Sequence, residues 1–209
     1  MAIGVIATGE FGRDVCAHLA DHECAIFHPL QLEMFGSLAA RHQLEELELN
    51  GIVFVMWRPF DADCEQVDDF AFSAGIPWFP MVLDHPFLNI GPWLVPPDGP
   101  CFRCMGTRLS QHTAARSRRA RIREAYDSNP EWGGYGHLPG HVQLACGLIK
   151  KAVEGKMESV PDLIRYDLLT GVFSRHRVVA RHGCPRCHRV PLELDKDQLL
   201  ECLPVGEAE

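Results

Sequence analysis

The 209-residue chain lacks three features that would each restrict its function. It has no run of about 18 apolar residues, so its sequence predicts no membrane span. Its N-terminus carries no basic residue ahead of the apolar positions 2–7, although a secretion signal needs one there. It also has no excess of positive charge, because its formal net charge is −8, which argues against general nucleic-acid binding. We therefore expect a soluble, cytoplasmic protein without membrane contact.

The rest of the composition is that of a globular protein. Hydrophobic residues make up 46% of the chain and charged residues 23%, which allows a sizeable core. The length suits one domain with an appendage, and we expect a zinc-containing domain over 1–190 followed by an acidic tail over 191–209. Nine cysteines without a secretion signal fit bound metal in a reducing cytoplasm better than a disulfide framework.

The clearest motifs in the sequence are two short cysteine pairs. Cys101-Phe-Arg-Cys104 and Cys184-Pro-Arg-Cys187 each place two thiols where both sulfurs can turn toward one point. Four thiolates in two such pairs are the usual tetrahedral ligand set of a structural zinc site. Ordinary core cysteines and a redox-active pair are the alternatives, and the repetition of the pair favours zinc.

The first hundred residues alternate between apolar runs and segments with helical spacing. Gly51–Trp57 is the clearest strand, and helical stretches precede and follow it. Further strands are predicted at 3–7, 24–27 and 76–83, with helices after 12, over 30–49 and over 61–75. This alternation predicts an α/β fold with a Rossmann-like, mainly parallel sheet and helices on both faces.

The second half predicts a change in architecture. Irregular or antiparallel strands are expected over 84–100, and a core helix over 141–153. The segments 164–168 and 172–179 flank Thr170-Gly171 and predict a hairpin. This C-terminal hairpin leads into Cys184, so the four-cysteine zinc site would staple it to the rest of the fold.

A glycine pair follows the first strand. Gly9 and Gly12 lie where a nucleotide-binding loop would lie, but a full fingerprint has three glycines. Glu10 between them would repel a phosphate. The pattern favours a plain strand-to-helix turn, with nucleotide binding as the alternative.

Seven arginines fall between Arg103 and Arg123. One interpretation is a solvated helix whose charge is balanced by acids elsewhere. The other is a strip that docks an acidic peptide or a partner subunit. The candidate contact residues of this arginine strip are Arg116, Arg118, Arg119, Arg121 and Arg123.

Other cysteines lie outside the two pairs. Cys16 and Cys146 fall on apolar helix faces and are predicted to be core residues. Cys64 and Cys202 have more polar neighbours in sequence, so a catalytic thiol at either is an alternative.

Five motifs in order resemble the ThiF/MoeB-like, ubiquitin-activating-type adenylyltransferase superfamily. They are Gly75-Ile-Pro77, Pro100-Cys-Phe-Arg-Cys104, Leu138-Pro-Gly-His-Val142, Tyr166-Asp167 and Cys184-Pro-Arg-Cys187. The resemblance implies a structural zinc that pins the C-terminal segment to the sheet, and it implies a homodimer or hetero-complex. Gly91-Pro92-Trp93 ahead of the first cysteine pair looks most like the ThiF-like partner subunits of azoline-forming cyclodehydratases. Those subunits act on ribosomally made peptides of the thiazole/oxazole-modified microcin class.

The chain departs from the active members of that superfamily. Phe27-His28-Pro29 has no acid where those members hold the ribose, and Trp57-Arg58-Pro59 replaces the expected metal-binding aspartate. Arg41-His42-Gln43 is only a partial match to their arginine motif. Magnesium-assisted attack on a phosphate needs oxygen ligands and charge neutralisation together. We therefore expect adenylation to be lost and ATP not to be a cofactor.

These patterns predict a non-catalytic zinc subunit of a peptide-modifying complex, which scaffolds a precursor peptide and a partner enzyme. Many relatives carry a winged-helix module that pairs with the leader peptide, and we expect it to be absent here or supplied by another protein. An alternative is an adenylyltransferase that activates a carboxylate or peptide C-terminus and holds ATP with Gly9, Gly12 and Arg58. A third hypothesis is a stand-alone zinc module that docks acidic peptides through the arginine strip.

Overall fold

The computed structural model describes residues 2–20, 26–97, 99–111, 116–154 and 162–187. Seven strands form one sheet in the order β2-β1-β3-β4-β5-β6-β7. Their bounds are β1 Ala2–Ala7, β2 Ile26–Leu30, β3 Gly51–Met56, β4 Trp78–Asp84, β5 Phe87–Ile90, β6 Asp162–Asp167 and β7 Phe173–Arg177.

The sheet has a parallel and an antiparallel part. Strands β2, β1, β3 and β4 pair in parallel, and β5, β6 and β7 continue the sheet in antiparallel fashion. All six residues of β3 are buried, as expected for a central strand covered on both faces. The predicted α/β fold with a Rossmann-like sheet is confirmed, and so are the antiparallel strand after residue 84 and the C-terminal hairpin.

Helices cover both faces of the sheet. Their bounds are α1 Gly9–Ala20, α2 Leu38–Glu46, α3 Asp61–Ala74, α4 Phe102–Gln111, α5 Arg116–Ser128 and α6 Pro139–Val153, with a 3₁₀ turn at Leu32–Phe35. Val53 and Val55 of β3 face the core that α1 and α6 complete. Phe54 and Met56 face the opposite core, to which α3 and α4 contribute. This alternation follows from the two-residue period of a strand.

Two predicted boundaries change. The second strand runs over Ile26–Leu30 rather than 24–27, and Cys24 and Ala25 lie outside the described residues. Pro29 is accommodated because β2 is an edge strand, where a missing N–H breaks no ladder between two neighbours. The predicted helical segment over 30–49 divides into the 3₁₀ turn and α2. Helix α2 begins after Ser37, because the Ser37 hydroxyl accepts a hydrogen bond from the Ala40 N–H and so caps the helix.

The arginine-rich segment also divides. Arg103 and Arg108 belong to α4, whereas the later arginines belong to α5, and residues 112–115 between them are outside the described ranges. The predicted acidic tail over 191–209 and Cys202 lie outside them as well. Within the described part of the chain, no helix has the length and apolar character needed to cross a membrane.

Candidate functional site

The four predicted metal ligands come together. The Sγ atoms of Cys101, Cys104, Cys184 and Cys187 all lie within 4.8 Å of one another, and all four residues are buried. The Sγ–Sγ distances are 3.6 Å for Cys101–Cys184 and 3.4 Å for Cys104–Cys187. Sulfurs at about 2.3 Å from a tetrahedral zinc would be about 3.8 Å apart, so the cluster fits such an ion after small adjustments. The four cysteines could hold a metal ion, and the donor set is compatible with structural zinc.

Local structure explains how the cysteines meet. The first pair opens α4, with the Met105 N–H bonded to the Cys101 carbonyl. The second pair follows Gly183, whose φ of +67° is a conformation that glycine adopts without strain. The Arg181 backbone N–H donates to the Cys104 sulfur at 3.1 Å, a contact that favours the thiolate.

The thiols of the cluster differ in how readily they ionise. Burial raises the pKa values of Cys101 and Cys187 well above that of a free thiol. Burial opposes ionisation of Cys184 too, but the backbone N–H groups of Cys187 and Arg186 outweigh it and lower the Cys184 pKa to about 6. A bound cation would offset the repulsion between four buried thiolates, so the site suits a metal better than four free thiols. With four protein ligands no coordination position stays open for a substrate, which is the pattern of a structural site.

Sequence reasoning missed an ion-pair network beside this cluster. Arg186, inside the second cysteine pair, contacts the carboxylates of Asp68 and Asp69 on α3 and lies 3.4 Å from that of Glu65. Asp68 is fully buried. Asp68 lies four residues after Cys64 and three before Ala71, on the apolar face of α3, and this spacing was the signal that could have found it.

Asp68 joins several elements. Its Oδ1 accepts hydrogen bonds from the Trp78 indole N–H at 2.9 Å and from the Phe102 backbone N–H at 3.2 Å. Its Oδ2 accepts from Arg186. One buried carboxylate therefore links α3, β4, α4 and the second cysteine pair.

A second candidate site is the ligand crevice of the parallel sheet. In open α/β sheets ligands bind outside the carboxyl ends of the strands, at the point where the strand order reverses. That point lies here between β1 and β3, so the crevice is flanked by Gly9 and Trp57.

The Trp57 side chain lies in this crevice. A Cβ atom added at Gly9 or at Gly133 would overlap the indole, so the ring lies directly against both backbones. Tyr135 stacks on the indole with ring centroids 4.8 Å apart and 23° between the planes. The turn that holds phosphate in nucleotide-binding relatives of this fold is thus occupied by an aromatic side chain.

What remains of the crevice is a cavity of about 390 Å³. Its lining includes the carboxylate residues Glu10 and Glu131 as well as Arg13. The acidic groups disfavour a polyphosphate at this position.

The other two residues predicted for nucleotide contact have structural neighbours. A Cβ at Gly12 would come 3.0 Å from the Val55 carbonyl oxygen, so this glycine permits the close approach of α1 to the sheet. Arg58 is buried, and its guanidinium donates to the carbonyls of Pro59 at 3.1 Å and Pro130 at 3.4 Å. The same group lies 4.1 Å from the Phe60 ring centroid. Gly9 lines the crevice cavity, whereas Gly12 packs against the sheet and the Arg58 guanidinium is held by backbone carbonyls.

The arginine strip has two kinds of members. Arg123 is largely buried and lies 3.6 Å from Asp61 and 3.4 Å from Asp84. Arg118 and Arg121 are exposed on α5. Nothing is described for the side chains of Arg116 and Arg119.

The expected polar setting of Cys64 is wrong. Its side chain is buried against Met56, with the sulfurs 3.6 Å apart, and burial raises its thiol pKa far above the usual value. Although Asp61 and Asp63 are neighbours in sequence, the helix turns Cys64 into the core. A catalytic thiolate is therefore disfavoured there. Cys146 is buried and Cys16 half-buried, as expected of core residues.

No protein-family model and no curated protein matches this sequence. Solved structures do match its fold. The heterocyclase TruD superposes with a TM-score of 0.60 at 13% identity, over 89% of this chain and 27% of that one. A chain of the E. coli microcin synthetase McbBCD complex superposes with a TM-score of 0.61 at 10% sequence identity. The match covers 88% of this chain and 67% of that one. E. coli MccB superposes with a TM-score of 0.62 at 13% sequence identity, and the match covers 92% of this chain and 66% of MccB. The chain thus spans about a quarter of TruD and about two thirds of the other two, and at these identities the likeness establishes the fold.

Proposed function

We propose that this chain is a non-catalytic, zinc-containing subunit of a complex that forms azoline-type heterocycles on ribosomally made peptides. In that role it positions the precursor peptide and supports the partner enzyme that consumes ATP. The observation that carries the proposal is the Trp57 indole lying in the crevice against Gly9 and Gly133. A subunit whose nucleotide turn is occupied by its own side chain is suited to scaffolding rather than to adenylation.

Two further observations support this role. The solved structures that share the fold include the heterocyclase TruD, a chain of the microcin synthetase McbBCD complex, and the microcin C7 biosynthetic enzyme MccB in complex with N-formylated MccA. The motifs around the two cysteine pairs resemble the ThiF-like partner subunits of cyclodehydratases. A closed four-cysteine site beside the sheet would hold the C-terminal segment in place while the surfaces bind partners.

The complex can be tested by reconstitution. The tagged chain is purified from its native cell, the co-purifying proteins are identified by mass spectrometry, and the partner is then incubated with peptide and ATP. We expect the peptide to lose one water per heterocycle only when both proteins are present. A partner that forms the same product at the same rate without this chain would contradict the scaffolding role.

The position of Trp57 in the crevice predicts that Mg·ATP leaves the thermal stability of the purified protein unchanged. A nucleotide at about 100 times its Kd would add about 2.7 kcal/mol to the free energy of unfolding. We expect no such gain in differential scanning calorimetry with millimolar Mg·ATP. A rise in Tm that disappears in Arg58→Ala would favour the adenylyltransferase alternative instead.

A further inference from the structure

A cavity of about 650 Å³ lies on the face of the sheet opposite α1 and α6. It lies between helices α3, α4 and α5 and strands β3 to β6, and most of its lining surface is apolar. Representative lining residues are Phe60, Val82, Phe102, Met105 and Leu163. This cavity is separate from the crevice in which Trp57 lies, and it has the size and character of a pocket for apolar side chains.

A groove of about 890 Å³ continues from this cavity between α5 and strands β4 to β7. Five arginines line it, namely Arg108, Arg118, Arg123, Arg165 and Arg177. Among the described lining residues Asp84 is the single carboxylate. Exposed Ile122 and Val179 add apolar surface. We call this surface the basic groove.

Much of the positive charge in the basic groove is not neutralised. The Arg108 guanidinium donates to the carbonyls of Val179 and Ala180, at 3.2 and 3.1 Å. Arg165 donates to the Asn89 side-chain oxygen at 3.0 Å. Across the described ranges no carboxylate lies within ion-pair distance of Arg108, Arg118 or Arg165. On a chain with net charge −8, this concentration of free positive charge points to an acidic ligand.

Arg123 stands where the cavity and the groove meet, because it lines both. Asp61 and Asp84 hold its guanidinium in place. Its Nη1 is nevertheless buried without a hydrogen-bond partner. A buried unsatisfied donor costs stability. The guanidinium that Asp61 and Asp84 hold therefore marks the junction of the cavity and the groove.

We propose that the cavity and the basic groove together bind an extended, acidic peptide segment. One apolar side chain of the segment enters the cavity, its backbone passes Arg123, and its carboxylates lie along Arg108, Arg118 and Arg165. The proposal rests on the proposed function, since it names the site at which a peptide-modifying scaffold would hold its peptide. We commit to a peptide rather than a nucleic acid, because the apolar cavity beside the arginine-lined groove suits a hydrophobic side chain next to acidic ones.

Fluorescence anisotropy with a synthetic probe tests this site. The probe is a short fluorescein-labelled peptide with one central leucine flanked by glutamates, and the comparison peptides replace either the glutamates by glutamine or the leucine by serine. Arg118→Glu reverses a charge in the groove, and Lys151→Glu, at an exposed position on helix α6, is its matched control. Gly106→Leu places a side chain beside the cavity where an added Cβ meets open space, and Gly147→Leu on α6 is its control.

We expect the probe to bind the wild-type protein and both controls alike. Arg118→Glu and Gly106→Leu should each weaken binding by about tenfold, and either comparison peptide should do the same. Circular dichroism and zinc content identify any variant that fails to fold. Equal affinity of Arg118→Glu and Lys151→Glu, or no binding of the probe to folded wild-type protein, would overturn the proposal. So would a single-stranded DNA that bound with the same dependence on Arg118.

The probe and the reconstitution distinguish the two proposals. Wild-type protein that binds the probe but recovers no partner enzyme supports the groove and contradicts the proposed function. Protein that supports heterocycle formation with its partner, yet shows no probe binding, supports the proposed function and contradicts the groove.

Discussion

Cys184→Ser is expected to abolish metal binding and to unfold the C-terminal third of the chain. The purified wild-type protein should contain about one zinc per chain, as expected for a four-thiolate site. Binding of a structural zinc contributes about 10–16 kcal/mol, which is comparable to the whole stability of an ordinary domain. The segment that follows the hairpin of β6 and β7 is joined to α4 by this cluster, and the variant loses that attachment.

Metal analysis, circular dichroism and limited proteolysis would measure the loss of zinc and of folded structure in Cys184→Ser. We expect the zinc content of Cys184→Ser to fall close to zero, with cleavage appearing after α6. Cys16→Ser is the matched control, because Cys16 is half-buried and lies outside the cluster. A Cys184→Ser variant that retained full zinc, or wild-type protein that contained no metal, would contradict the structural assignment.

The second large effect is the loss of stability expected when Arg186 is replaced by alanine. Arg186 and Arg103 occupy the same position in the two cysteine pairs, so they form a natural comparison. The side chain of Arg186 is only 10% exposed and that of Asp68 is 0%, whereas Arg103 is 51% exposed and contacts Glu65 at the surface. Removing one partner of a buried pair leaves an uncompensated charge and costs about 3–5 kcal/mol. We expect Arg186→Ala to lower the free energy of unfolding by about 3–5 kcal/mol. Arg103→Ala should lower it by about 1 kcal/mol or less.

Urea unfolding of the two variants measures the difference, with zinc content checked in each. A second change sharpens the test. Asp68→Asn keeps the Oδ1 acceptor that Trp78 and Phe102 use but removes the charge that faces Arg186. Adding Asp68→Asn to Arg186→Ala should therefore recover part of the lost stability. Equal losses for Arg186→Ala and Arg103→Ala, or no recovery in the double variant, would show that the pair does not stabilise the fold.

The sequence predicts local features of this protein better than long-range ones. The order of strands and helices follows from apolar periodicity, and the cysteine cluster follows from two short-range spacings. Neither depends on knowing which distant residues meet. The strand boundary at Pro29 was missed because proline disfavours a strand in general, and its edge position becomes visible only once the sheet order is known.

Two features of the candidate sites depend on contacts between distant segments. Arg186 and Asp68 are 118 residues apart, and an arginine in a turn is ordinarily a solvated residue. The sequence shows Trp57 in place of an aspartate. Its contact with Gly133, however, depends on how the segment after α5 folds back over the sheet. Such contacts require the tertiary structure, and they are also the ones that bear most directly on function.

We propose that this chain supports a peptide-modifying enzyme without activating a carboxylate itself. The most direct measurement is ATP–pyrophosphate exchange by the purified, zinc-loaded chain with candidate peptides, in the absence and presence of its partner. The position of Trp57 in the crevice predicts no exchange above background by the chain alone, with ATP consumption appearing only when the partner is added. Robust carboxylate-dependent exchange by the chain alone would contradict the account.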